Sequence, residues 1–193
     1  MEPTQKKLLG ISARLFADRG YSGVSMREIS RSAGITQAAI YHHFANKETL
    51  YIAAVESVYE GLTTEMVNVA RQQVDPEQQL ASIVSSLLEV FDRHTQFRRI
   101  YFRELLDGDQ ERLQLLAKGI FPDVKAFLID LMTRLAPHMD AHLMVLDLAG
   151  MIFHHLEARK VSAHSDTGRP EHQQVPYLAD HIVALMLNGV KKP

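Results

Sequence analysis

Apolar residues recur every three or four positions along most of the chain, which is the spacing of a helix with one buried face. Leu8, Leu15 and Phe16 follow it in the first stretch, together with Ile11 or Ser12. No stretch convincingly alternates apolar and polar residues as a half-buried strand does. The pattern therefore predicts an all-α fold of about nine helices. They span residues 4–19, two short stretches within 25–44, 46–72, a stretch that opens at 75–77, 95–107, 110–136, 140–160 and 176–190.

Two further expectations concern the middle of the chain. Gly108 should end helix 95–107, and helix 110–136 should bend near Gly119 and Pro122 because proline removes a helical hydrogen bond. The residues expected to point inward from helix 95–107 are Phe97, Ile100, Tyr101, Leu105 and Leu106.

A tight turn between two short helices is predicted near the amino end. Ser25 stands three residues before Glu28, which is the spacing of a capping box. The Ser hydroxyl would accept the Glu28 N–H, and the Glu28 carboxylate would reach back to the Ser25 N–H. Gly34 follows where the first helix should stop. Thr36 can cap the next helix, so this stretch has the signature of a helix-turn-helix.

The second short helix combines an apolar inner face, Ile40 and Phe44, with a polar outer one. Its outer positions hold Thr36, Gln37, Tyr41 and His42, interrupted only by Ala38 and Ala39. Small residues allow a helix to lie deep in the DNA major groove, where Gln can bond a base edge, while Tyr and His can donate to phosphate. Lys47, at the start of the following helix, would hold a phosphate. The alternative is a helical hairpin in a core, with an exposed Tyr-His edge that has no function.

The distribution of charge favours the interpretation that the second short helix binds DNA. The net charge is −2, which by itself argues against a nucleic-acid-binding protein. Residues 1–50, however, hold seven Lys and Arg against four Asp and Glu, a net charge of +3, and the remainder carries −5. A basic amino end on an acidic remainder is expected when one end meets phosphate and the other does not.

The run AGITQAAIYHHFANKETLY, preceded by LFADRGYSGVSMREIS, closely resembles the N-terminal domain of TetR/AcrR-family transcriptional regulators. The resemblance covers about residues 4–55 and rests on the glycine of the turn, the Y-x-HF tetrapeptide and the lysine after it. It implies a three-helix helix-turn-helix DNA-binding domain at 1–46 and a larger helical ligand-binding and dimerisation domain at 47–193. The predicted DNA-binding residues are Ser25, Met26, Arg27, Thr36, Gln37, Ala38, Ala39, Tyr41, His42, His43 and Lys47.

Helices 140–160 and 176–190 are apolar nearly all round, so they need neighbours on more than one side. Such helices either close a large monomeric core or form half of a four-helix dimer interface. The resemblance implies the second arrangement. It also implies a homodimer on a near-palindromic operator, acting as a repressor, the commoner mode in the family.

A small-molecule inducer is a further partner that the resemblance implies, in a pocket among the middle helices. Its identity is left open, and for each lining residue the alternative is simply a packed core. The candidate ligand-binding residues are Met66, Phe91, Phe97, Tyr101, Phe102, Arg103, Phe121, Phe127, Met151 and His155.

The competing class is a metal protein or an enzyme, since the chain has ten histidines. His138 and His142 are four residues apart, and His154 precedes His155. A metal site needs three or four converging ligands, and adjacent histidines on a helix point about 100° apart. No Ser-His-Asp spacing, Gly-rich phosphate loop or HExxH helix appears. We therefore expect no catalytic residues, no metal and no cofactor.

Composition completes the expectations. The absence of Cys excludes disulfides and thiolate metal sites. The opening MEPTQKK lacks an apolar signal core, and no apolar run is long enough to span a bilayer, so we expect a cytoplasmic protein without membrane contact.

Overall fold

The computed structural model describes residues 3–58, 62–107, 109–119 and 122–189, and in these ranges all regular structure is helical. The all-α prediction is confirmed. Within the described ranges the chain forms eleven α-helices and one short 3-10 helix, Pro170–Gln173. The α-helices are α1 Pro3–Arg19, α2 Met26–Ala33, α3 Gln37–His43, α4 Lys47–Ser57, α5 Leu62–Arg71, α6 Pro76–Arg93, α7 Thr95–Asp107, α8 Gln110–Gly119, α9 Pro122–Leu135, α10 Ala141–Ser162 and α11 Val175–Gly189.

The count exceeds nine because the predicted helices 46–72 and 110–136 each correspond to two of the described helices. The uninterrupted helix 46–72 is wrong, since α4 ends at Ser57 and the Val58 N–H bonds to the Val55 carbonyl, 3.2 Å away, in a tightened last turn. Residues 59–61 lie outside the described residues, and their sequence includes Gly61, a weak helix former.

The predicted helix 110–136 corresponds to α8 and α9, and the bend expected near Gly119 and Pro122 stays a prediction because residues 120–121 lie outside the described residues. Pro122 is the first residue of α9, where its missing N–H costs no helical hydrogen bond. The expected stop at Gly108 falls outside the described residues, as do residues 120–121.

The helices fall into two compact units. The first unit, Met1–Glu60 with His94–Ile120, contains α1 to α4, α7 and α8. The second unit, Gly61–Arg93 with Phe121–Pro193, contains the other helices. The boundary inferred from the sequence, at residues 46 and 47, falls inside the first unit and stays a prediction.

In the first unit, α1 packs against α2, α4 and α7. Its core includes Phe16, Ile29, Ile40 and Leu50, each at most 1% exposed. The inward positions predicted for Leu105 and Leu106 are wrong, because these side chains are 50% and 85% exposed. The buried side of α7 follows Phe97, Ile100 and Glu104, and a step of one or two residues from Glu104 turns the next side chains away from it. Tyr101 is half-buried.

In the second unit, α6 is the central helix, in contact with α5, α9, α10 and α11. Its buried face carries Leu80, Ile83, Val84, Leu87, Leu88 and Phe91, as the spacing of apolar residues predicts. The Arg159 guanidinium on α10 pairs with Asp92 on α6 and also donates to the Gln173 carbonyl at 3.2 Å. None of the described helices is both long and apolar enough to cross a membrane.

Candidate nucleic-acid interface

The first helix of the candidate interface, α2, is fixed at both ends by local chemistry. Ser25 is its N-cap, and its hydroxyl accepts the Glu28 N–H at 3.2 Å, as the sequence predicts. The Glu28 carboxylate, which the capping-box pattern directs to Ser25, pairs with the Arg19 guanidinium at the end of α1. Gly34 ends α2 with φ at +71°, a left-handed conformation that favours glycine.

The second helix, α3, separates its inner and outer faces cleanly. Thr36 caps it by accepting the Ala39 N–H at 3.1 Å. Ile40 is fully buried, and Phe44, which follows the last residue of α3, is 7% exposed. Tyr41 is 50% exposed on the opposite side. The side chains of Gln37, Ala38, His42 and His43 are exposed as well.

The third element is the amino end of α4, which a capping box fixes. The Asn46 side chain accepts the Thr49 N–H at 2.8 Å, and the Thr49 hydroxyl accepts the Asn46 N–H at 3.2 Å. Lys47 is half-buried, with its ammonium 4.2 Å from the centroid of the Tyr21 ring. Burial and, second, the Arg112 guanidinium lower the pKa of Lys47 from its ordinary value.

The predicted DNA-binding residues therefore all lie in the first unit, and most are available to a partner. Exposed side chains are those of Ser25, Arg27, Thr36, Gln37, Ala38, Tyr41, His42 and His43, whereas Ala39 and Lys47 are half-buried. Met26 is 8% exposed and belongs to the apolar side of α2 with Ile29. A buried side chain is not available to a base or a phosphate, so we remove Met26 from the candidate surface.

Behind this surface lies a polar cluster that the sequence did not predict. We call Tyr21, Tyr51, Glu104, Asp109 and Arg112 the α4 support cluster. Its members come from the loop after α1, from α4, from α7 and from the start of α8. Glu104 and Tyr51 are separated by 53 residues, so no local spacing could have related them.

The centre of the α4 support cluster is Glu104, which is 1% exposed. It accepts a hydrogen bond from the Tyr51 hydroxyl at 2.5 Å and another from Arg112 Nε at 2.7 Å. Burial, followed by the hydrogen bond to Glu104, strongly raises the pKa of the Tyr51 hydroxyl, which therefore stays protonated.

The candidate ligand-binding residues are divided between the two units. Phe97, Tyr101, Phe102 and Arg103 belong to the first unit, and the second unit holds Met66, Phe91, Phe127, Met151 and His155. Phe121 lies outside the described residues.

Burial differs within this set. Met66, Phe91, Phe97 and Phe127 are at most 5% exposed. Tyr101, Phe102, Met151 and His155 are half-buried.

Arg103 has a role within the first unit. Its guanidinium donates to the Asp18 carbonyl at 2.8 Å, and it lies over Gly20, where φ is +73°.

The histidines of the second unit include His155 on α10. Burial and, second, the neighbouring His181 and His154 lower the pKa of His155. In the part of the chain that the structure describes, no group of three or more His, Asp or Glu side chains is arranged to hold a metal ion.

The packing of α1, α2 and α3, with a glycine turn between the last two, defines a helix-turn-helix domain. Residues 8–54 match the family described as bacterial regulatory proteins, tetR family. This match covers most of α1, all of α2 and α3, and the first part of α4. The transcriptional regulator BetI of Rhizobium meliloti (strain 1021) is 35% identical over 98 residues, which are 50% of this chain and 46% of that protein. The aligned part thus spans about half the length of the curated relatives.

Solved structures are similar to the chain over nearly its whole length. FadR from Bacillus subtilis, in complex with stearoyl-CoA, has a TM-score of 0.77 at 16% identity and covers 96% of this chain and 98% of that one. AibR, in complex with isovaleryl coenzyme A and operator DNA, has a TM-score of 0.69 at 21% identity, covering 94% and 97%. At these identities the likeness shows the fold.

Proposed function

We propose that the protein is a transcriptional repressor that binds duplex DNA through the outer face of α3. The observation that carries this proposal is the contrast across α3, between a fully buried Ile40 and a row of exposed polar and small side chains. That row begins at Gln37 and Ala38 and ends at Tyr41 and His42. The match of residues 8–54 to the tetR family of bacterial regulatory proteins and the net charge of +3 on residues 1–50 support it.

The side chains of this surface divide into two groups by chemistry. Gln37 can form two hydrogen bonds with an adenine edge, and Ala38 offers a methyl group to thymine. Lys47, Tyr41 and His42 can contact phosphates, which position the protein without reading sequence. Within this proposal, residues 1–46 together with Lys47 contact DNA, and residues 47–193 otherwise serve regulation and dimerisation.

The second unit offers a surface for a second copy of the chain. Leu143 and Leu146 on α10 are 55% and 53% exposed, and Leu185 and Tyr177 on α11 are 50% and 40% exposed. Helices α10 and α11 pack against each other in the monomer. Exposed apolar side chains on two adjacent helices are typical of a protein interface, and a two-fold dimer uses the same surface from both copies. Two copies would read half-sites about 34 Å apart on a near-palindromic operator.

For the effector we propose a coenzyme A thioester. FadR of Bacillus subtilis and AibR share this fold and have stearoyl-CoA and isovaleryl coenzyme A in their complexes. The buried aromatic and methionine side chains of the second unit suit an acyl chain. A thioester would release DNA by binding more tightly to the form of the dimer that does not fit the operator.

Selection of bound fragments from random duplex DNA tests the proposal. We expect an enriched near-palindrome whose half-sites are one helical turn apart. The complex is then challenged with short- and long-chain acyl-CoA, with free coenzyme A as the matched control. Selective release by one acyl-CoA supports the effector class. No enrichment over a non-binding protein of similar charge would contradict DNA binding.

A further inference from the structure

Beyond the interface itself, we propose that Arg112 and Glu104 are positioning residues, which hold the Lys47 ammonium where it meets a DNA phosphate. This inference rests on the proposed DNA-binding function and adds residues that do not themselves touch DNA. It assigns a role to the α4 support cluster, which belongs wholly to the first unit.

The first step concerns the placement of α4. Lys47 and Tyr51 are four residues apart, so their side chains lie on the same face of the helix. The Tyr51 hydroxyl is bound to the Glu104 carboxylate at 2.5 Å, and both residues are almost completely buried. A charge-assisted hydrogen bond of this kind between α4 and α7 fixes the first turns of α4, including the position of the Lys47 backbone.

The second step concerns Arg112, which balances the buried carboxylate. Its Nε donates to Glu104 at 2.7 Å, and its Nη1 is 3.2 Å from Asp109. The side chain of Arg112 is only 10% exposed. Two short ion pairs therefore hold the guanidinium in one place, 4.6 Å from the centroid of the Tyr21 ring.

The third step joins this guanidinium to Lys47. The Lys47 ammonium lies 4.2 Å from the centroid of the same Tyr21 ring, and both distances are within the range of cation–π contacts. The Tyr21 ring is itself held edge-on against the Tyr51 ring, with centroids 5.2 Å apart. The ring thus orients a flexible lysine side chain that would otherwise sample many rotamers.

The electrostatic consequence is a lysine that is ordered but not neutralised. Besides Lys47 itself, the charged groups near Tyr21 among the described residues are Glu48, Asp109, Glu104 and Arg112. The fixed positive charge of Arg112 repels the Lys47 ammonium. In the part of the chain that the structure describes, no carboxylate is within salt-bridge distance of the Lys47 ammonium. A phosphate that approaches α4 therefore meets a preorganised cation without displacing an acidic partner.

Arg112→Met tests the positioning role, with Arg99→Met as the matched control. Arg99 lies on α7 in the same unit and pairs with Asp18 at 3.0 Å, but its side chain is 61% exposed. The first measurement is the NMR titration of the Lys47 ammonium in the free full-length protein. We expect Arg112→Met to raise the pKa of Lys47, because a nearby positive charge is removed, and Arg99→Met to leave it unchanged.

The second measurement is affinity for a duplex of random sequence, in wild type and in a Lys47→Ala background. Arg112→Met should weaken binding about two- to fivefold in wild type and should have no effect when Lys47 is already absent. Equal losses in both backgrounds would mean that Arg112 contacts DNA directly, and this would overturn the inference.

A second variant controls for misfolding, since Arg112→Met leaves the buried Glu104 carboxylate without its positively charged partner. Tyr21→Leu removes the ring but keeps the Glu104–Arg112 pair, and it should cause the same Lys47-dependent loss of affinity. An unchanged Lys47 titration in Arg112→Met and an unchanged affinity in Tyr21→Leu would overturn the positioning role, even if wild type binds DNA. If wild type binds no duplex, the proposed function fails, and the positioning role fails with it whatever the titration.

Discussion

The outer face of α3 and the outer face of α10 and α11 have opposite chemistry. On α3 the exposed side chains are polar or small, and the largest of them, Tyr41, carries a hydroxyl and is 50% exposed. On α10 and α11 the exposed side chains include three leucines that are each at least 50% exposed. Both faces lie opposite a well-buried side of their own helices, so neither is needed to hold its unit together.

This contrast indicates which partner each face can accept. Polar side chains that leave water on entering a DNA groove can form replacement hydrogen bonds with the DNA, so a polar face with small side chains loses few hydrogen bonds there. An exposed leucine contributes to the free energy of binding only when another apolar surface covers it, because the hydrophobic contribution is proportional to the area removed from water. These properties agree with the proposed partners, DNA for the face of α3 and a second copy of the chain for the face of α10 and α11.

The largest effect should come from a charge on the apolar face. Leu146→Asp should raise the dimer dissociation constant by about 100-fold or more, because burying one leucine contributes about 1.5–3 kcal/mol and a symmetric dimer contains two. Sedimentation velocity measures the change. Leu106→Asp is the control, since Leu106 is 85% exposed on α7 and should leave the dimer intact. Equal dimer dissociation constants for the two variants would contradict the assignment of the dimer interface to α10 and α11.

The next effect should come from the base-reading side of α3. Gln37→Ala should weaken binding by ~1–3 kcal/mol at one base pair in each half-site and relax the preference there. Binding to a set of single-base operator variants measures it. A loss of equal size on every variant and on random DNA would place Gln37 among the phosphate contacts instead.

A smaller and sequence-independent effect is expected for Lys47→Ala. Removal of one phosphate contact per copy should reduce the slope of log K against log salt by about 0.9 per copy, or about 1.8 for a dimer. Titrations at several salt concentrations with specific and random duplexes measure the slope. Lys125→Ala on α9, an exposed lysine of the second unit, should change neither slope.

The smallest effect is expected for Tyr41→Phe, which keeps the ring and removes the hydroxyl. Loss of one hydrogen bond should weaken operator binding by about 0.5–1.5 kcal/mol without changing the free energy of unfolding, because Tyr41 is half exposed. Tyr41→Ala separates the ring from the hydroxyl. If Tyr41→Phe binds as wild type and Tyr41→Ala does not, the ring makes the contact.

The spacing of residues along the chain was sufficient to predict helix caps and the buried side of α3. The caps at Ser25 and Thr36 and the buried pair Ile40 and Phe44 follow from intervals of three or four residues. The burial of Met26 was missed because position alone does not distinguish the first inward residue of a short helix from an outward one. Leu105 and Leu106 were misassigned because hydrophobicity was taken as a sign of burial.

The α4 support cluster was not predicted because it depends on contacts between distant segments. The sequence gives no spacing by which Glu104 could be matched to Tyr51, and Arg112 reads as an ordinary surface residue of a helix. The wrong helix 46–72 has another cause: its apolar residues keep a helical period across the segment that joins α4 and α5. Periodicity reports which face is buried, and it does not report where the backbone bonds stop.

The burial of a single side chain within α3, Ile40, has a consequence for how such a protein can change over evolutionary time. Gln37, Ala38 and Tyr41 are exposed, so substitutions there carry a low penalty in folding. Under the proposed function, a duplicated gene can acquire a new target site by altering these residues alone. In that case, different positions of the same seven-residue helix support the fold and determine the DNA sequence that is bound.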